Sequence, residues 1–395
     1  MIQSFDIERA RAETRGCGEI IHFNNAGASL MPVPVADALV DYLREEELRG
    51  GYETAGKHRD GLDNFYTATS KLLNCAPDEV AFIENATRAW DMAFYGFRFN
   101  KGDKILTSIA EYGSNVIAFI QQAERYGAEI VYVPNDGHGQ LDVAALENML
   151  DEQVKLVAIS HIPTGGGLVN PVEAVGKVAN SAGIPYLLDS CQGVGQLHLD
   201  VQQIGCDILS GTGRKYLRGP RGTGLLYIRK SLMVHHEPAM LDQHAAFLTS
   251  PTTYELIPTA KRYENWERFF AGQVALGMAI DYALGWDVAA TQQRVFDLAA
   301  ILRQKLQTID GLTIADEGEV QCGLVTWWIE GISAEKIKSE LAKQNINVTV
   351  SSGSGTYVSF QQRGLTELIR TSVHYFNTVE EIDFVIDLLK MIYNR

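Results

Sequence analysis

Apolar positions along the chain keep changing period. Val35, Leu39, Tyr42 and Leu43 recur at helical spacing, and the charges from Arg44 to Glu47, with Arg49, make a solvated end. Residues 50–54 read as a loop, and 61–73 as a second helix that Asn74-Cys75-Ala76-Pro77-Asp78 stops. Short apolar runs then alternate with helical spacings. Strands are expected at 80–83, 105–107, 129–133, 154–160 and 185–188, with helices through 97, over 111–123, 142–150 and 171–182 between them. Pro171 suits the first turn of its helix, where an N–H has no partner to lose. This strand–helix order predicts a mostly parallel sheet covered on both faces. Two more strands follow, at 206–209 and after Gly219-Pro220-Arg221-Gly222-Thr223-Gly224. The grammar then changes. Residues 231–262 read as loop-rich, with Pro238, Pro251 and Pro258, and a helix over 272–284 leads into an α+β part. That part has helices at 291–307, 334–344 and 380–393 and strands at 312–315 and 324–329. The chain therefore reads as α/β. A large, mostly parallel-sheet domain covers 17–271, and a smaller α+β domain combines 272–395 with a polar, helical arm at 1–16.

Composition narrows the classes. A length of 395 residues is enough for a large core and two domains. The balance of 46% hydrophobic and 21% charged residues is that of a soluble globular protein. A net charge of −15 argues against nucleic-acid backbones and anionic membranes as partners. No run approaches the roughly 18 apolar residues of a membrane-crossing helix. The opening MIQSFDIERARAETR lacks the apolar core of a secretory signal. Cys17, Cys75, Cys191, Cys206 and Cys322 are scattered with no Cys-x-x-Cys. That suits reduced thiols in a cytoplasm rather than a disulfide framework or a zinc site, so no metal is expected.

Candidate chemistry centres on 186–227. An apolar strand runs into Asp189, Gln192 follows, and the next strand leads into Ser210-Gly211-Thr212-Gly213-Arg214-Lys215. Asp189 and Lys215 each fall at the C-terminal end of a strand, the edge where open α/β sheets hold ligands. A carboxylate can keep a pyridine nitrogen protonated, and a lysine can form a Schiff base with an aldehyde. Those are the two protein groups a pyridoxal 5'-phosphate site needs most. Thr212, Arg214 and nearby backbone N–H groups suit a phosphate. So does the turn at Ala86 and Thr87, where a strand passes into a helix N-terminus with unpaired N–H groups and a positive dipole end. Thr87 as a plain helix cap is the alternative, and the two roles are compatible. Neither Gly165-Gly166-Gly167 nor the stretch 210–216 has the spacing of a nucleotide-binding P-loop.

The pattern Asp189-x-x-Gln192 followed by Thr212-Gly213-Arg214-Lys215 resembles the cofactor-lysine region of the class V aminotransferases. That family includes cysteine desulfurases, selenocysteine lyases and kynureninases. Further stretches fit it in order: 24–32, the turn at Ala86-Thr87, Asn170-Pro171, and the closing run from Arg370 to Asp383. The resemblance implies a fold type I enzyme with its active site at a homodimer interface. It implies that Lys215 carries the cofactor as a Schiff base and later serves as a base, with Asp189 on the ring nitrogen. Tyr112 would stack on the ring where desulfurase-like members have histidine, and Gln192 would bond the ring hydroxyl. Thr164 stands where desulfurases have an asparagine. Ala86, Thr87, Thr212 and Arg214 would hold the phosphate. Arg370 would clamp the substrate carboxylate, with a structural ion pair as the other reading. Asn25 and Ala26 would lie beside the substrate pocket, in a segment that otherwise reads as a plain turn.

One absence is informative. Desulfurases carry a nucleophilic cysteine on a loop ahead of that arginine, whereas Ser351-Ser352-Gly353-Ser354-Gly355-Thr356-Tyr357-Val358 has none. Hydroxyls substitute poorly for a thiolate, so a persulfide relay is not expected. The expected activity is aminotransferase or cysteine-conjugate β-lyase chemistry on an amino acid. Epimerase or desulfurase-like activity, a catalytically idle binding protein of the same fold, and a glycine-rich nucleotide binder are the alternatives. Intact Lys215, Asp189 and Arg370 argue against an idle site.

Overall fold

The computed structural model describes residues 5–393, so residues 1–4 of the N-terminal arm lie outside it. The rest of the arm forms a short helix, Ile7–Ala12, whose Asp6 side chain accepts the Arg9 N–H.

Seven strands build the main sheet: β1 (Val80–Ile83), β2 (Lys104–Ser108), β3 (Glu129–Val133), β4 (Val154–Ser160), β5 (Tyr186–Asp189), β6 (Ile208–Thr212) and β7 (Gly224–Ile228). Their order is β1-β7-β6-β5-β4-β2-β3, and β7 runs antiparallel to both its neighbours. The remaining pairs are parallel, as the alternation of strands and helices predicts. Ala81, Ile105, Leu156, Ala158, Leu187, Ile208 and Leu226 pack on one face of the sheet. Phe82, Leu106, Val157, Ile159, Leu188, Leu209 and Leu225 pack on the other. Burial on both faces is why these strands read as continuous apolar runs rather than as apolar–polar repeats.

The helices flanking this sheet are α1 (Val33–Arg49), α2 (Arg59–Leu73), α3 (Ala86–Phe94), α4 (Gly113–Tyr126), α5 (Val172–Ser181) and α6 (Phe270–Leu284). Pro171 sits one position ahead of its helix, as the cap of α5. A second, antiparallel sheet holds β8 (Leu312–Ile314), β9 (Leu324–Ile329), β10 (Thr349–Ser352) and β11 (Glu367–Ser372), in the order β8-β9-β11-β10. Helix α7 (Val288–Leu306) packs on it and on α8 (Val379–Tyr393). The early segment joins this second sheet. Ile21–His22 pairs in parallel with Ile346–Asn347, and the Ser372 N–H donates to the Phe23 carbonyl at 2.8 Å.

The strands at 349–352 and 367–372 were not expected from the sequence, and two further stretches differ from its reading. Residues 50–54 lie largely within a helix, Gly51–Lys57, rather than a loop. Its glycines disfavour helix, but buried Thr54 and the bonds from Lys57 and His58 to Glu45 fasten it to α1. Within 231–262, Ala246–Ser250 and Thr253–Leu256 form a hairpin. Pro251 marks its turn, and β-branched and aromatic residues on either side supply the strand preference.

Candidate functional site

The C-terminal ends of the parallel strands surround a cleft with about 590 Å³ of open space, counting its mouth. Ala86 and Thr87 reach it from the turn after β1, Tyr112 from the turn after β2, and Thr164 from the segment after β4. Asp189 and Gln192 line it at the end of β5, and Thr212, Arg214 and Lys215 at the end of β6. Asp189 is the last residue of its strand. β6 runs three residues further into the small-residue stretch than the apolar pattern suggests, because Ser210, Gly211 and Thr212 pair with Leu226, Leu225 and Gly224.

Lys215 keeps partial access to the cleft but is otherwise enclosed by protein. Burial pulls its ammonium pKa down to about 8; Cys191 and Asp189 oppose the shift, while Arg214 and Arg370 add to it. A neutral amine is thus within reach near physiological pH. Three residues on, Arg218 is buried with φ +60°, in the left-handed region. It donates to the Leu30 carbonyl at 2.8 Å, the Tyr375 hydroxyl at 2.7 Å and Thr14 Oγ1 at 2.5 Å. The loop carrying Lys215 is therefore tied to both ends of the chain.

Asp189 is held by two donors. The Cys191 N–H reaches Oδ1 at 3.0 Å and Asn115 Nδ2 reaches Oδ2 at 3.2 Å. Asn115 Nδ2 also donates to Glu111 Oε1 at 2.8 Å, so one amide bridges two carboxyl groups. Glu111 is buried, and burial pushes its pKa up although hydrogen bonds from Ser160 and Asn115 oppose that. The sequence reading quoted Glu111 and Asn115 as a helix opening and gave them no role. Their spacing of four residues across a helix start was the available signal.

The phosphate-like end lies at α3. Asn85, not Thr87, caps this helix: its side chain accepts the Arg88 N–H at 2.9 Å, a contact worth about 1 kcal/mol in caps of this kind. The first-turn N–H groups of Ala86 and Thr87 have no helical acceptor. Gly224 lets β7 pass closely beneath this turn, since a Cβ there would stand 2.9 Å from the Asn85 carbonyl carbon and 3.0 Å from the Ala86 nitrogen. Arg214 donates to the Gly27 carbonyl, and its own carbonyl accepts the Ser29 N–H at 2.8 Å.

Arg370 stands behind Thr164 on β11, the strand paired with both β9 and β10. It donates to the Thr164 carbonyl at 3.1 Å and hydroxyl at 2.6 Å. Its Nε is buried without a partner, and burial lowers its pKa to about 10. No carboxylate pairs with it among the described residues, so the ion-pair alternative does not describe it. Neither Arg370 nor Asn25 and Ala26 are among the residues that line the cleft itself. Asn25 is fully buried, and its amide is used on the Ser372 carbonyl at 2.8 Å and the His22 carbonyl at 3.0 Å. The Ala26 N–H donates to Ser372 Oγ at 2.9 Å, while its carbonyl accepts Gln192 Nε2 at 3.2 Å. Both residues brace the segment behind Gln192.

A loop of the second sheet packs beside the cleft, against Gly113, Thr164 and Gly165. A Cβ on Gly113 would lie 2.3 Å from the Ser354 carbonyl oxygen, so this loop rests on the residue next to Tyr112. Thr356 Oγ1 is buried there without a partner. Cys191 lines the cleft, but burial pushes its thiol pKa far up, with Asp189 adding to the shift, so it stays protonated.

These groups fit a phosphorylated pyridine aldehyde. An amine of lowered pKa, a hydrogen-bonded carboxylate and a helix N-terminus beside an arginine line one cleft. Gln192 Oε1 on its wall is buried and unpartnered.

Comparison with known proteins agrees with this geometry. Residues 21–385 match the family model described as Aminotransferase class-V. A relative from Xylella fastidiosa (strain 9a5c), named "Probable cysteine desulfurase", is 30% identical over 381 residues, covering 94% of this chain and 91% of its own. One of the same name from Methanothermobacter thermautotrophicus is 27% identical over 381 residues, covering 94% of each. The apo structure of a cysteine desulfurase from Thermococcus onnurineus NA1 shares the fold, with a TM-score of 0.91 at 22% identity over 100% of both chains.

Proposed function

This chain belongs to the class V aminotransferase family, and from that premise we propose that it is a carbon–sulfur β-lyase acting on a cysteine-derived amino acid. The cofactor is pyridoxal 5'-phosphate. The observation that carries the reading is Lys215, an amine with a pKa near 8, facing the same cleft as Asp189 and Arg214. Two features favour sulfur chemistry without a persulfide relay. The relatives bear the name of a carbon–sulfur cleaving enzyme. The loop resting beside Tyr112 offers Ser354, Gly355 and Thr356 where a relay would need a thiolate, and Cys191 stays a thiol. The reading carries with it a homodimer, for which exposed Tyr52, Leu248 and Trp266 supply apolar surface.

Ala86, Thr87, Thr212 and Arg214 would hold the phosphate, Gln192 the ring hydroxyl and Asp189 the ring nitrogen, with Tyr112 stacked on the ring. When bound, the cofactor supplies an electron sink for the pair left at Cα on proton loss. Arg370 binds the substrate carboxylate through its free guanidinium edge and fixes the Cα–H direction. Lys215, with its amine free, would take the Cα proton. A base with pKa near 8 suits that task at neutral pH. The Cβ–S bond then breaks with its electrons going to sulfur, which takes up a proton and leaves. The remaining three-carbon fragment hydrolyses to a keto acid and ammonia.

The lowered pKa makes a measurable prediction. Capture of cofactor by the apoprotein needs the neutral amine, so its rate is expected to rise with pH and level off above about 8, not 10.5. Stopped-flow absorbance from pH 6 to 11 checks this, and a midpoint near 10.5 would contradict it. The same shift bears on stability. The unfolded chain binds this proton more tightly, so the penalty is full below about 8 and fades as pH rises towards 10.5.

The activity itself is tested by presenting cysteine and its S-conjugates with simultaneous assays of keto acid, ammonia and the cofactor spectrum. Keto acid and ammonia in equal amounts, with the spectrum returning unaided, is the expected result. Conversion to a pyridoxamine spectrum that persists until a keto acid is added would make the protein an aminotransferase instead.

A further inference from the structure

The bridge formed by Asn115 suggests a role that the family comparison does not assign. We propose that Asn115 is a positioning residue. It fixes the Asp189 carboxylate against the cofactor's ring nitrogen and keeps the neighbouring carboxyl of Glu111 from disturbing that contact. The inference rests on the reading above that Asp189 faces this nitrogen.

The argument is one of anchoring. Glu111 is secured without Asn115: the Tyr112 N–H reaches Oε1 at 2.9 Å, the Ser160 N–H reaches Oε2 at 2.8 Å, and Ser160 Oγ reaches Oε1 at 2.6 Å. Thr107 Oγ1 adds a contact at 3.2 Å. Asp189 has far less. Apart from Asn115, its carboxylate is met by Cys191 alone, through the N–H on the other oxygen and through the weakly donating thiol. Loss of Asn115 therefore leaves Glu111 in place and frees Asp189 to turn about its χ2.

The chemistry of the bridge is specific. An asparagine amide carries two N–H hydrogens, and here they are spent on two carboxyls, at 2.8 and 3.2 Å. Both bonds favour carboxylate over acid. A leucine of similar size would leave two buried carboxyls short of a donor, and an aspartate would add a third. In either case the proton that belongs on the ring nitrogen is drawn towards the carboxyl cluster. Asn115 is buried, so water cannot substitute freely for its amide.

The test reads the ring nitrogen directly. Holoprotein is reconstituted with cofactor labelled with nitrogen-15 at the ring position, and the resonance is recorded for wild type, Asn115→Leu, Asn115→Ser and Asp189→Ala. The serine variant is the milder change, and it cannot span both carboxyls. The wild-type resonance is expected at the protonated position, with both Asn115 variants moved towards the neutral one. Their cofactor dissociation constants are expected to rise about tenfold or more, the factor for losing a hydrogen bond to a charged group. A purely structural role would lower the melting temperature and leave the resonance unmoved. If Asp189→Ala shifts the resonance while the Asn115 variants keep it at the wild-type position, the inference is overturned and the Asp189 reading stands. If wild type itself shows a neutral nitrogen, the Asp189 reading fails first.

Discussion

Replacing Lys215 with alanine is expected to lower turnover by at least about 10⁴-fold, because one side chain supplies both the covalent tether and the base for the Cα proton. The two roles separate in the measurement. Borohydride reduction of the wild-type holoprotein, followed by peptide mass analysis, is expected to leave the cofactor on the peptide containing Lys215. In Lys215→Ala the cofactor still meets Asp189, Arg214 and the α3 N-terminus, so it binds but washes out on dialysis. Added methylamine offers a free base and is expected to restore a small part of the proton transfer without restoring the tether. Turnover within about tenfold of wild type in the alanine variant would remove Lys215 from the chemistry.

The second large effect falls on Asp189. Asp189→Ala is expected to reduce kcat by about 10³-fold, the scale of losing a preorganised charge at a developing carbanion. Asp189 is buried and accepts hydrogen bonds from the Cys191 N–H and the Asn115 amide, so its carboxyl group is held in one orientation. Without it the ring nitrogen loses its counter-charge, and the ring withdraws electrons less well. KM is expected to change far less, because in the proposed function the substrate carboxylate is held by Arg370 rather than by Asp189. Asp189→Asn separates charge from shape: a loss in kcat close to that of alanine assigns the effect to charge. Equal losses in kcat and in cofactor affinity with unchanged chemistry per bound cofactor would reduce Asp189 to a binding group.

Much of the fold was legible because its strands are buried on both faces. Stretches such as 154–160 and 324–329 are strands over the ranges their apolar runs suggest. The residues around the cofactor were legible for another reason. Aspartate, glutamine, arginine and lysine at strand ends have few uses there apart from binding. What escaped was polar structure that serves other polar structure. Asn115 looks like any residue in a first helical turn until the turn after β2 folds it onto Asp189. Asn25 looked like a ligand contact because it is polar and sits among small residues. Its amide is instead committed to Ser372, some 350 positions away, which no local pattern encodes. The hairpin at 246–256 was hidden by prolines that mark its turn and flanks.

Arg370 sits on an inner strand of the second sheet, opposite Thr326 and Thr349, whereas Lys215 and Asp189 project from the main sheet. The loop that packs beside Tyr112 belongs to the second sheet as well. On the proposed function, reactivity and choice of substrate are therefore written largely in separate passages of the chain, with Arg370 bearing on both. A redesign that exchanges 349–369 and keeps Arg370, whose charge bears on the Lys215 ammonium, would alter the loop beside Tyr112 while leaving the charges around Lys215 as they are. The reverse edit, around Asp189, would change how fast bonds break without teaching the enzyme a new substrate.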